Sequence, residues 1–227
     1  MHTVLKTTAH RGLSSQAPEN TMAAFKLAVE QGCDWIEIDV QLSADGIPMV
    51  IHDQTVNRCT NGSGKVAEMS LSQLEMLDAG LWFGEEYREE PIPTLLDTLS
   101  YVKNANVSLN IELKVYPQDD IHTLCQRVKE VIVQTGVSSE QILFSSFETK
   151  ALLKMKQLLP EVRRGQLWQS IPNDAMQILQ QLSAYSVHCD YRFLTESVAR
   201  NIKQNGYQLY CYTPNFPELV NEHWKWG

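Results

Sequence analysis

The chain of 227 residues has no run approaching the ~18 apolar residues that a membrane span requires. Its first ten residues, Met1 to His10, show no cationic segment followed by a long apolar stretch, so no secretory signal is read there. Cysteine is sparse: Cys33, Cys59, Cys125, Cys189 and Cys211 are odd in number and form no close pair, which argues against a disulfide framework and for a reducing compartment. A cytoplasmic protein without a transmembrane segment is therefore expected. Cationic excess is missing too. Nineteen Lys and Arg face twenty-seven Asp and Glu, a net charge of −8, which excludes the basic face that general nucleic-acid binding needs. It still allows one anionic ligand held by a few cations, particularly through a metal. No Gly-rich phosphate loop follows any strand-like run, and no low-complexity tract or repeat breaks the pattern.

What remains is ordinary globular composition, 43% hydrophobic and 20% charged. Short apolar, β-branched runs alternate with amphipathic stretches. Strands are predicted at residues 4–10, 35–40, 107–114, 141–145, 162–167, 185–189 and 207–212. Helices are predicted near 21–31, 95–103, 121–134, 148–159, 174–182 and 196–204. Asn20 is read as the cap of the first helix and Thr195 opens the last, while Gly32, Gly136 and Gly206 stand where helices end. Strands separated by helices of this length imply an α/β fold with a parallel sheet. Seven strands fit either an eight-stranded barrel or an open doubly wound sheet. Residues 44–93 break the rhythm with a turn at Asp45-Gly46, a strand-like Pro48–His52, a Gly- and Asn-rich loop, a short helix and an aromatic stretch. About fifty residues is too long for an ordinary connection, so a functional insertion is expected within a single domain of residues 1–227.

Chemistry-bearing residues gather at the C-terminal ends of the predicted strands, where α/β barrels place their sites. His10 and Arg11 close the first. Glu37 and Asp39, two apart on the second, share one face, and Glu112 and Lys114 repeat that spacing on another. Buried carboxylates need partners. A hard divalent cation with oxygen ligands would satisfy three at once; the competing reading is an ion network with Arg11 and Lys114. His52 ends the run Pro48–Ile51. Two histidines near acids and cations suit a phosphodiester: Arg11 and Lys114 would hold phosphate oxygens, and His10 and His52 would serve as general acid and base. His2, His122, His188 and His223 lack this setting and are read as surface or core residues.

These residues resemble the glycerophosphodiester phosphodiesterase family. The matching segments are His10-Arg11-Gly12, Pro18-Glu19-Asn20-Thr21, Glu37-Ile38-Asp39-Val40, Asp45-Gly46, His52-Asp53, Arg58 to Gly64, Leu77 to Gly80, Ile92-Pro93-Thr94-Leu95, Glu112-Leu113-Lys114 and Ser146-Phe147. Their order and spacing hold over nearly the whole chain. The resemblance implies a TIM-like (β/α)8 barrel with an inserted subdomain after the second strand. It also implies hydrolysis of glycerophosphodiesters, small-molecule substrates, to sn-glycerol 3-phosphate and an alcohol with Mg²⁺ or Ca²⁺. It makes Glu37, Asp39 and Glu112 the metal ligands and His10 and His52 the acid–base pair. Arg11 and Lys114 would contact phosphate, and Phe147 and Tyr212 would bind substrate. Related readings are a phospholipase C- or D-type lipid phosphodiesterase and a non-catalytic phosphodiester-binding protein. The aromatics Leu81 to Tyr87 sit among Glu85, Glu86, Glu89 and Glu90, which disfavours anionic bilayers; they are read as cleft wall or, with more weight, as the insertion's own core.

Two departures stand out. Tyr212-Thr213-Pro214-Asn215 replaces a more usual Trp-Thr-Val-Asn, adding a hydroxyl to an aromatic wall. The sequence also stops at Trp224 to Gly227 without the family's eighth strand, so a further tail is expected to supply it.

Overall fold

The computed structural model describes residues 7–226. One sheet of eight strands carries the fold: β1 (Ala9–His10), β2 (Trp35–Leu42), β3 (Pro48–Val50), β4 (Ser108–Leu113), β5 (Ile142–Ser146), β6 (Arg163–Trp168), β7 (Ser186–Asp190) and β8 (Gln208–Tyr212). Seven run parallel in the order β1-β2-β4-β5-β6-β7-β8, and β3 pairs antiparallel with β2. The helices are α1 (Met22–Glu30), α2 (Leu71–Leu74), α3 (Leu95–Ala105), α4 (Ile121–Thr135), α5 (Thr149–Leu158), α6 (Ala175–Leu182) and α7 (Glu196–Gln204). The result is a curled parallel α/β sheet of TIM-like type. Among the described residues no strand pair joins β8 to β1, and the expected eighth parallel strand is not among them.

Alternation along each strand decides what faces where. On β2, Ile36, Ile38 and Val40 enter the main apolar cluster with Phe25, Leu99, Leu109, Ile111, Ile142 and Phe144. Burying side chains of this size is worth ~1.5–3 kcal/mol each. The intervening Glu37, Asp39 and Gln41 therefore turn to the opposite face, the inside of the curl. Parallel register sets His10 beside Glu37, Glu37 beside Asn110, and Asp39 beside Glu112.

Two expectations change here. The first strand is confined to Ala9–His10; Thr7 and Thr8 are not strand, and the part of the predicted run at residues 4–6 lies outside the described residues. Asn20 is not the cap of α1. Thr21 is, with its hydroxyl accepting from the Ala24 N–H at 3.3 Å. Thr195 caps α7 as expected, and Gly136, left-handed at φ 61°, closes α4. Met49 of β3 and residues between β3 and α3 form a separate apolar cluster: Met49, Ile51, Val56, Val66, Leu74, Ala79 and Ile92. Phe83 meets both Trp82 and Tyr87 edge-to-face, each at 5.6 Å. No helix among the described residues is long and apolar enough to cross a membrane.

Candidate active site

The site is built at the ends of β1, β2 and β4. His10 closes β1, and the chain turns at once through Arg11 (φ 56°) and Gly12 (φ 78°). Gly12 is required there. A Cβ on it would lie 2.7 Å from the Cβ of Ala24, so the turn is pressed against α1. This turn directs the Arg11 N–H to Glu37 Oε2 at 3.0 Å and brings Nη1 to Glu19 Oε1 at 2.8 Å and Nε to Asp39 Oδ2 at 3.2 Å. His10 Nε2 lies 3.9 Å from Glu37 Oε2. Burial and the neighbouring Arg11 charge lower the His10 pKa to about 4, so its imidazole is neutral at pH 7.

Glu37, Asp39 and Glu112 bring carboxylate oxygens within 4.8 Å of one another. Burial, then the charges of Asp39 and Glu112, push the Glu37 pKa well up. Burial, then Asp39, raises Glu112 to about 7, although Lys114 Nζ donates to its Oε1 at 2.8 Å. Asp39, only 1% exposed, lies behind the other two. Its Oδ2 accepts from Asn20 Nδ2 at 2.9 Å, its own N–H donates to Asn20 Oδ1 at 3.3 Å, and Lys114 Nζ stands 3.6 Å from Oδ1. Glu37 Oε1 is buried with no hydrogen-bond partner among the described residues. The ion network with Arg11 and Lys114 therefore exists but leaves this oxygen unsatisfied.

His52 arrives from a loop beyond β3. Its Nδ1 stands 2.7 Å from Asp53 Oδ1, and its carbonyl accepts from the Tyr116 hydroxyl. Phe147, 51% exposed, meets Tyr212 edge-on at 6.1 Å, and the Tyr212 hydroxyl donates to the Trp168 carbonyl at 3.0 Å. His10, Arg11, Glu37, His52, Glu112, Lys114, Phe147 and Tyr212 all line one cleft of about 740 Å³. Eight of the nine sequence-predicted site residues thus meet around a single space, with Asp39 just behind it.

The model of the glycerophosphoryl diester phosphodiesterase family matches residues 10–227. The chain belongs to this family. A glycerophosphodiester phosphodiesterase of Caldanaerobacter subterraneus subsp. tengcongensis is 38% identical over 223 residues, covering 96% of this chain and 89% of that protein. One from Bacillus subtilis is 31% identical over 235 residues, covering 97% and 80%. Among solved structures, an Oleispira antarctica phosphodiesterase in complex with the product sn-glycerol-3-phosphate superposes with a TM-score of 0.93 at 38% identity, covering 97% of this chain and 89% of that one.

Within this glycerophosphodiester phosphodiesterase fold, several side chains support the site in roles that the sequence reading did not assign to them. Asn20 grips Asp39 through both amide atoms rather than capping a helix. Arg58 donates Nε to Asp53 Oδ2 at 2.7 Å and Nη1 to Glu19 Oε2 at 2.8 Å. Asp53 is held below its usual pKa, chiefly by the Arg58 hydrogen bond. Glu19 falls to about 2: burial opposes the shift, but hydrogen bonds and charge from Arg58 and Arg11 outweigh it. None of Leu81 to Tyr87 lines the cleft. His188 is buried and stands 2.9 Å from Ser186 Oγ, and it also lines the cleft, which the reading as a surface or core residue did not foresee.

Proposed function

We propose that this chain hydrolyses glycerophosphodiesters to sn-glycerol 3-phosphate and an alcohol, with His10 and His52 as the acid–base pair and Glu37, Asp39 and Glu112 as ligands of Mg²⁺ or Ca²⁺. The observation that carries this reading is the unpartnered, buried Glu37 oxygen inside a triad of mutually repelling carboxylates. Three acids with oxygen donors, under-compensated by Arg11 and Lys114, suit a hard divalent cation. When bound, that cation would neutralise charge on a nonbridging phosphate oxygen. The product complex of the Oleispira antarctica relative supports the substrate class.

The protein's own groups supply the rest. Arg11 and Lys114 offer N–H donors to phosphate at the cleft. His10 and His52 hold and move the protons at their ring nitrogens. One imidazole, starting neutral, takes the proton of the attacking hydroxyl as the new P–O bond forms; the other, starting as the imidazolium, gives its proton to the departing alkoxide as the old bond breaks and is left neutral. Phe147 and Tyr212 form the aromatic wall against which the substrate's organic part is oriented.

The same reading treats residues 1–227 as one barrel domain with 44–93 as an inserted subdomain, supported by that segment's separate apolar cluster. Five free thiols support a cytoplasmic setting. The test is release of sn-glycerol 3-phosphate from a panel of glycerophosphodiesters with chelator, Mg²⁺ or Ca²⁺. Release that depends on the cation is expected, and release unchanged by chelator would remove the metal. Phosphorus NMR separates direct attack by water from attack by the glycerol 2-hydroxyl, which alone gives a cyclic phosphate.

A further inference from the structure

His52 differs from His10 in what holds it. β3 ends at Val50, so no strand fixes the imidazole. Its side chain is held instead through Asp53, which Arg58 grips with two donors, Nε to Oδ2 at 2.7 Å and Nη2 to Oδ1 at 3.0 Å. The same guanidinium donates from Nη1 and Nη2 to the two oxygens of Glu19, both at 2.8 Å. Glu19 Oε1 also accepts from Arg11 Nη1 at 2.8 Å. An unbroken chain of contacts, alternating in charge from Arg11 through Glu19 and Arg58 to Asp53, therefore runs from the turn after His10 to the second imidazole.

A carboxylate facing a guanidinium fork is ionised and can only accept. The atom opposite it must donate, so the proton of a neutral His52 belongs on Nδ1 and the lone pair on Nε2. We propose that Asp53 is a positioning residue that fixes His52 in the Nδ1–H tautomer, and that Arg58, forked between Asp53 and Glu19, is the strut that keeps Asp53 in place. This rests on His52 transferring a proton in the reaction. The strut joins the loop that follows His10 to the loop that carries His52, so it also ties the surroundings of the two imidazoles together. Arg58 is nearly half exposed, and exposed ion pairs contribute little stability. Its value lies in geometry: four N–H bonds from one planar group leave both carboxylates a single orientation. Lysine, a point charge without the fork, cannot replace it.

The test uses the intact chain, labelled with ¹⁵N in histidine, read at alkaline pH where imidazole is neutral. In the wild type, the His52 Nδ1 shift is expected in the protonated range and the Nε2 shift in the unprotonated range. In Asp53→Asn, the proton is expected to move toward Nε2, with kcat for glycerophosphodiester hydrolysis lowered by ~10²–10⁴-fold, the range of a general acid–base group, at unchanged KM. Arg58→Met is expected to shift the same ring signals and lower kcat by a smaller factor, with Arg58→Lys failing to restore it. A wild-type His52 carrying its proton on Nε2 would overturn the proposal. So would folded Asp53→Asn and Arg58→Met proteins that keep both the wild-type ring shifts and kcat. If the wild type released no sn-glycerol 3-phosphate from any diester, the proposed reaction would fail, while the ring shifts would still decide the clamp.

Discussion

Five carboxylates belong to the site, of which Glu37 and Glu112 line the cleft itself, and the protein treats them in two opposite ways. Glu37, Asp39 and Glu112 are borne by β2 and β4 and crowd against each other, and both glutamates are pushed toward protonation. Glu19 and Asp53 are borne by loops, and each is answered by a guanidinium fork and pushed toward ionisation. The strand acids keep their geometry because the sheet ladder imposes it, so they can crowd together with one Glu37 oxygen left unpartnered. The loop acids have no ladder, and their charge is spent on fixing shape. On the proposed reading, crowded charge belongs to the chemistry and answered charge to the support.

The sharpest way to break this contrast is to remove one imidazole from each side. His10→Ala, at a strand end, and His52→Ala, on a loop, are each expected to lower kcat by ~10²–10⁴-fold. Steady-state assay of both variants checks this, and full activity in one would confine the chemistry to the other side. Next, Glu37→Gln relieves the like-charge crowding yet keeps an oxygen for the Arg11 N–H. In chelator its thermal midpoint is expected to rise, because one of three crowded buried charges is removed. The stabilisation of the wild type by added Mg²⁺ or Ca²⁺ is expected to disappear. A midpoint that falls in chelator would mean that the triad is satisfied without a metal.

Asn20→Ala probes the one strand acid that is gripped. It leaves Asp39 Oδ2 and the Asp39 N–H without their amide partner and is expected to cost ~1–3 kcal/mol, read by denaturant unfolding. The smallest effect belongs to the loop side. A carboxylate lowered to about 2 in the folded state contributes stability above its unfolded value and loses it as pH falls through about 2. Glu19→Gln is therefore expected to flatten the acid limb of the stability–pH curve below the ordinary glutamate range. Its cost at neutral pH is ~1 kcal/mol, because Arg58 is open to water.

Much of this was legible in the amino-acid order. Alternation within Trp35–Val40 already put Glu37 and Asp39 on one face, and parallel pairing then set Glu112 beside Asp39. Helix boundaries followed from caps such as Thr195 and Gly136. Asn20 was misread because a capping side chain and a tertiary hydrogen-bond donor look alike in sequence; the adjacent Thr21 took the cap and freed the amide to reach Asp39. Arg58 and Glu19 are 39 positions apart, on irregular backbone that has no period to betray a contact. The Tyr116 hydroxyl reaches the His52 carbonyl across 64 positions. Contacts made by loops depend on where the whole sheet has already placed their ends, and local pattern does not encode that.

One contact outside the cleft has a consequence for assembly. Helix α1 has no acidic residue in its first turn, and the Ala23 N–H there is met by the Glu90 carboxylate at 2.9 Å, from 67 residues further along the chain. The complement to that helix's positive end is thus borrowed rather than local. A borrowed charge cannot act until its owner arrives. During refolding, the first turn of α1 is expected to gain amide-exchange protection only as the segment ending in Glu90 docks, so a helix early in the chain is completed late in time.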